Sequence, residues 1–193
     1  MPIFELNNYM LSQETTEYYN KWMIQYNNIT GTEPKDHFSR FRILYPLQNR
    51  LYSDASADLL DKSKIQSRGG NKKEATINLV NFLGAAKMLQ EFQKNNNGQD
   101  IQHLIEILEN KVFNITLTMQ GIPIPHRDQE LLDGLRSVNE EEKAQAIALT
   151  IYQVRCNDTH GAKTIDGIQP LLLEPINNIL YTINDMLYRE LSK

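Results

Sequence analysis

The chain predicts an all-α fold, an up-and-down bundle of five to six helices, and three observations carry that expectation. Apolar residues recur at spacings of three and four along most of its 193 residues. Helix-breaking residues cluster between these runs, at Gly31-Thr-Glu-Pro34, Gly69-Gly70, Asn95-Asn-Asn-Gly98 and Gly167-Ile-Gln-Pro170. Alternation with a period of two is confined to one stretch near 112–125, where a small β excursion is expected.

Taken in order, residues 12–28 place Tyr18, Tyr19, Trp22, Met23 and Tyr26 on one aromatic helical face, read as core rather than as a binding platform. Residues 1–30 thus form a helical N-terminal extension of a single domain spanning 1–193. Pro34 suits the first turn of a second helix, expected to reach about Ser53 with Phe38, Phe41, Leu44, Tyr45 and Leu51 as its apolar set and a kink at Pro46. The basic run Lys62, Lys64, Arg68, Lys72 and Lys73, broken by Gly69-Gly70, reads as a positive loop between helices. Residues 72–94 return to helical period with Ile77, Val80, Leu83, Ala86 and Leu89, and a short helix follows over 100–111.

Phe113, Ile115, Leu117 and Met119 then alternate with Asn114, Thr116, Thr118 and Gln120, as in a half-buried strand. A strand needs a ladder partner, and Ile3–Leu6, the 122–124 return and a second subunit all stand open. A polar helix over 129–137 leads to Asn139, which with Glu142 three residues on resembles a capping box for a helix over 140–157. Pro175 is expected to open the last helix, with Ile176, Ile179, Leu180, Ile183, Met186 and Leu187 as its stripe.

Composition narrows the function. A chain of this length can bury a core without metal or disulfides, and its single cysteine, Cys156, excludes an intramolecular disulfide. No run approaches a membrane span or a secretion signal, so a reducing, cytoplasmic setting and no membrane partner are expected. A net charge of −4 argues against a broad electrostatic footprint on nucleic acid, so any phosphate contact must be local, with Arg68, Lys72 and Lys73 the basic candidates.

The most informative stretch is Arg155-Cys-Asn-Asp-Thr-His160. It pairs an always-charged guanidinium with an imidazole that titrates near neutrality, a combination suited to phosphodiester cleavage. Ala144, Ala148, Ile151 and Arg155 share a helical face, with Ile147 and Val154 alongside. A cation beside a buried stripe costs several kcal/mol unless it is satisfied or opens to water, so Arg155 is either a site residue or the partner of a buried carboxylate. His160 would lie about 140° round the axis if the helix continued. Asn157-Asp158 and Gly161 instead suggest that the helix stops there, which lets the two side chains converge. Asp158 either orients His160 or caps the helix.

Rival chemistry is weaker. Cys156 and His160 sit four apart, but a cysteine in an apolar helix is usually a packed residue. His37, His103 and His126 lack the spacings of metal ligands, so no metal or other cofactor is expected. Gly161-Ala-Lys163-Thr164 lacks the preceding glycine of a phosphate-binding loop.

Arg155-x4-His160 followed by Gly161-Ala-Lys163, between an apolar helix and a long C-terminal one, resembles the Arg-x(4–6)-His signature of HEPN-domain ribonucleases. Leu44-Tyr-Pro-Leu-Gln-Asn49-Arg-Leu-Tyr52 resembles the aromatic-x-x-x-Asn-x-Leu-Tyr pattern of an early helix in that superfamily. The resemblance implies a helical homodimer in which two such motifs face a shared cleft and cut RNA without metal, as a toxin or as a defence or RNA-processing nuclease. It implies catalytic roles for Arg155, His160, Asn157 and Asp158, and RNA contacts from Lys163, Lys72, Lys73, Arg68 and Asn49. It also implies an antitoxin such as a small nucleotidyltransferase as a partner. The chain departs from the pattern at Cys156, where the family commonly carries Asn, Asp or His, and a catalytically inactive dimer acting as an interaction or regulatory module is the alternative. The segment 112–125 has no counterpart in the pattern.

Overall fold

The structure, a computed structural model, describes residues 13–159 and 169–193. Within them all the regular elements are helical: α1 (Gln13–Asn27), α2 (Pro34–Asp61), α3 (Asn71–Lys73), a π-turn (Glu74–Asn78), α4 (Leu79–Leu83), α5 (Ala85–Lys94), α6 (Asn97–Glu109), α7 (Pro125–Arg136), α8 (Glu140–Thr159) and α9 (Gln169–Leu191). The all-α expectation holds, with more segments than the five to six foreseen. One hydrophobic core joins α2, α4 to α9 and Ile115, and the aromatic face of α1 packs against it.

The extra segments have local causes. Gly84, at φ 82°, splits the 72–94 run into α4 and α5, because that backbone conformation cannot continue a right-handed helix and suits glycine alone. The second helix outruns its expected end at Ser53 by eight residues, since Ala55 and Leu59 extend its buried stripe. The last helix starts before Pro175 rather than at it. Leu172 and Leu173 are buried one turn earlier, and their burial, worth about 1.5–3 kcal/mol for each such side chain, holds a turn in which proline removes a hydrogen bond.

No strand forms among the described residues over 112–125. The excursion shrinks to one antiparallel bridge, Leu117 to Pro123, flanked by hydrogen bonds from the Thr118 amide to the Ile122 carbonyl (2.8 Å) and from the Ile124 amide to the Thr116 carbonyl (2.9 Å). Of the three partners open to it, the 122–124 return supplies this pairing, while Ile3–Leu6 lies outside the described residues. The buried end is held by side chains instead of a ladder. The Asp128 carboxylate accepts from the amides of Ile115 (3.2 Å) and Thr116 (2.7 Å), and the Asn157 amide donates to the Ile115 carbonyl (2.7 Å).

The spine of the bundle is the pairing of α2 with α9. Asn177 donates to the His37 carbonyl and Asn184 to the Leu44 carbonyl, both at 2.9 Å. Each asparagine is seven residues from the next, as are the two acceptors, so the helices run parallel in heptad register. Both asparagines are 1% exposed, amid Ile176, Ile179, Leu180, Ile183 and Leu187. A buried polar residue at one core position of a heptad fixes register at a cost in stability, and the carbonyls of α2 supply the matching acceptors here.

Helices α7 and α8 approach closely at Gly134, where an added Cβ would lie 2.7 Å from the Ala146 Cβ. Gly134→Ala is therefore expected to destabilise the protein by about 1–3 kcal/mol through overpacking, seen as a lower chemical denaturation midpoint. A methyl in an open helix interior does the opposite, adding about 0.5–1 kcal/mol, so a stabilised variant would show that the two helices are not in contact there. Among the described residues, no helix is long and apolar enough to cross a membrane.

Candidate functional site at the end of α8

The site is built on α8, whose start is capped as the sequence suggests but through an intermediary. The Asn139 Oδ1 accepts from the amides of Glu141 (2.9 Å) and Glu142 (3.2 Å). The Glu142 carboxylate accepts from the Ser137 hydroxyl (2.7 Å), which in turn accepts from the Asn139 amide (3.0 Å), so Ser137 relays the second half of the box. Three glutamates in the first turn complement the positive end of the helix.

Twenty residues of α8 then carry the phase read from the sequence to its far end. Ala144, Ile147, Ala148, Ile151 and Val154 are buried, and Arg155 follows at the edge of that face, half-buried. Its guanidinium carbon lies 5.6 Å from the centroid of the Tyr45 ring. A cation over an aromatic face gains about 0.5–2 kcal/mol, more as water is excluded, which offsets part of the cost of its position. Burial works against the Arg155 cation, but the neighbouring Tyr45, Cys156 and Tyr152 outweigh it and raise the group above its ordinary value.

Around Arg155 gathers a set of phenols. Tyr45 and Tyr52 are 6% and 1% exposed, and the Tyr52 hydroxyl donates to the exposed Asn49 side chain. Burial raises Tyr45 far above the usual phenol range, and it raises Tyr52 as well, with Arg155 opposing both shifts. Tyr152, one turn before Cys156 on α8, is raised by burial and by that thiol. The two segments that carried the family resemblance thus approach one another: Tyr45 and Tyr52 of α2 lie near Tyr152, Arg155 and Cys156 of α8, and Asn49 is joined to them through Tyr52. The sequence passed over Tyr152, although its spacing of three and four from Arg155 and Cys156 places it on their side of the helix.

The remaining candidates divide. His160, Lys163 and their neighbours over 160–168 lie outside the described residues, and the side chain of Asp158 does too. Asn157 turns inward: it is 8% exposed, and its amide is spent on the Ile115 carbonyl. That bond ties the end of α8 to the 112–124 segment.

The basic run is less of a loop than the sequence suggests, because Lys72 and Lys73 belong to α3. Lys72 is exposed, whereas the Lys73 ammonium reaches the Ser67 carbonyl at 3.4 Å. Arg68 is engaged by the buried Glu74 carboxylate at 2.8 Å and by the Ser53 hydroxyl. Glu74 opens the π-turn, a rare helical form often found at functional sites. Its charge also raises Tyr52, which ties the basic loop to the phenol cluster.

The phenols give a pH prediction. Tyr19, Tyr26, Tyr45, Tyr52 and Tyr152 are all raised, burial being the largest cause in each. The folded state favours their neutral forms, so the stability they contribute is intact below the ordinary phenol value of about 10 and is lost as pH climbs past it. Tyrosinate absorbance should therefore rise together with loss of helical circular dichroism. All tyrosines ionising while the helices stay intact would contradict this.

Comparison with models of known families, with curated proteins and with solved structures gave no match.

Proposed function

We propose that this chain is a metal-independent endoribonuclease of the HEPN type, acting as a toxin or as a defence or RNA-processing nuclease in the cytoplasm. The single observation that supports the reading is the meeting of Arg155 with Tyr45 across α2 and α8, which unites the two segments resembling that superfamily. Arg155 stabilises charge on the phosphorane-like transition state. His160 takes the proton from a ribose 2′-hydroxyl or gives one to the departing 5′-oxygen, leaving a 2′,3′-cyclic phosphate and a 5′-hydroxyl. Two copies of the chain complete the cleft, Asp158 orients His160, and Lys163, Lys72 and Asn49 contact the RNA. Arg68, already bound to Glu74, serves it less directly. A small nucleotidyltransferase is a fitting antitoxin.

Asn157 favours the second reading, an inactive dimer used as an interaction module. With Cys156 beside Arg155 and the Asn157 amide committed to Ile115, neither residue after the arginine offers a free carboxamide to substrate.

The purified wild-type protein, free of contaminating nuclease and with chelator present, is expected to cut RNA to products ending in a cyclic phosphate. His160→Ala should abolish that cleavage and leave the dimer mass and helical spectrum unchanged. Absence of cleavage by the wild-type protein would move the conclusion to the interaction module.

A further inference from the structure

The hairpin over 112–125, which the proposed chemistry does not use, has one blunted edge and one open edge. The Thr118 and Ile124 amides donate across it to the Ile122 and Thr116 carbonyls, so the peptide groups of Leu117 and Pro123, paired between them, face outward. On the return strand Pro123 has no N–H to offer and Pro125 follows, and proline is one of the ways a strand edge is closed to further pairing. On the outgoing strand Asn157 takes the Ile115 carbonyl at 2.7 Å. The next outward residue is Leu117, and among the described residues neither its N–H nor its C=O has a hydrogen-bond partner. The edge is therefore open from Leu117 to the turn, and it begins at the end of α8.

The turn beyond it is apolar and exposed. Gly121, at φ 78°, donates its amide to the Thr118 carbonyl at 2.9 Å and closes a short loop with Met119 at its tip. Met119 is 77% exposed and Ile122 61%, and Val112 is exposed at the base of the same hairpin. Other exposed apolar residues, such as Ile24 and Val138, stand singly along the chain.

Charge points to what covers this edge. Charged residues make up 23% of the chain, yet none falls between Val112 and Pro125. A phosphate backbone or a charged peptide finds no opposite charge there. An open strand edge takes a further strand, and no regular element among the described residues is extended, so none of them supplies it. A second copy does. It brings the same uncharged edge, and two such edges meet antiparallel about a two-fold axis, the usual arrangement of a homodimer. Each chain carries a net charge of −4, which opposes association over the charged surface and favours contact where no like charges face one another.

We propose that the open edge of the 112–125 hairpin is the dimerisation surface of this chain, with each Leu117 exchanging both backbone hydrogen bonds with its counterpart and Met119 and Ile122 covered between the copies. Thr116 of one strand then faces Thr118 of the other, a favourable cross-strand pair. Because Asn157 occupies the adjoining carbonyl, the docked strand lies against the end of α8, and the two α8 ends flank the axis. The inference supplies the surface that the nuclease reading requires and rests on that reading only for the shared cleft.

Sedimentation of the full chain at high micromolar concentration is expected to give a dimer. Met119→Lys with Ile122→Lys, both at exposed positions, should raise the dimer dissociation constant at least tenfold with the helical spectrum unchanged. Directly opposed residues of a hydrogen-bonded antiparallel pair have Cα atoms about 5.5 Å apart, within disulfide range. Leu117→Cys combined with Cys156→Ser should therefore form an intermolecular disulfide under mild oxidation. Dissociation of the lysine variant supports the interface whether or not it still cuts RNA, and continued cutting counts only against the shared cleft. A dimer that survives both lysines and leaves the Leu117→Cys thiol uncrosslinked overturns the proposal, and so does a monomeric wild type, which would make Ile3–Leu6 the candidate strand instead.

Discussion

Arg155→Ala is expected to slow RNA cleavage by about 10²–10³-fold, the usual loss when one stabilising donor is removed from a site of developing negative charge. Arg155→Lys should recover little of it. Lysine keeps the charge but lacks the flat, delocalised face that rests on Tyr45 and the fork that grips two phosphate oxygens. On the proposed nuclease reading Tyr45 acts through Arg155 as a positioning residue, and its variants separate ring from hydroxyl. Tyr45→Phe retains the aromatic face and should cleave nearly as well as the wild type, whereas Tyr45→Leu should lose rate and release the arginine. Cleavage by Arg155→Ala at the wild-type rate would remove the guanidinium from the chemistry and leave it a structural cation over a ring.

Leu44→Ala carries the largest expected effect on stability. Leu44 is fully buried in α2, and its carbonyl accepts the Asn184 amide from α9. Truncation removes a leucine's transfer energy and opens a cavity in a spine whose register is fixed, so the surroundings cannot collapse into it. A loss of about 2–5 kcal/mol is expected, read from urea denaturation as a lower midpoint at unchanged slope. Val138→Ala, at a fully solvent-exposed position, is the matched control and should change little. A loss under about 1 kcal/mol at Leu44 would mean that α2 and α9 slide past one another and repack.

How much of this was legible in the sequence depends on how far apart the interacting groups lie. The helices and the burial of Ala144, Ile151 and Val154 follow from spacing, which is local, and the position of Arg155 at the edge of that face follows with them. The early end assigned to α2 and the late start assigned to α9 share one cause: both relied on a local signal that burial overrode. The polar segment after Ser53 hides Ala55 and Leu59, and Pro175 is tolerated where Leu172 and Leu173 have a core to enter. At the site, the meeting of Arg155 with Tyr45 was not legible, since it joins α8 to a helix more than 100 residues earlier and leaves no local signal. The inward turn of Asn157 was not available, since its acceptor on Ile115 lies 42 residues back along the chain. Asn177 and Asn184 break an otherwise apolar stripe, and periodicity alone passes over them, because their partners are backbone carbonyls and carry no side-chain signature.

Those two asparagines reach acceptors 140 residues earlier in the chain. At a synthesis rate of about 5–20 residues per second, the apolar face of α2 leaves the ribosome about 7–28 s before α9 exists to cover it. During that interval Leu44, Leu47 and Leu51 have only nearer helices as company, and a holding chaperone has a defined stretch to occupy. The register fixed by the asparagines then decides the outcome late, when one helix must find its parallel mate among segments already folded.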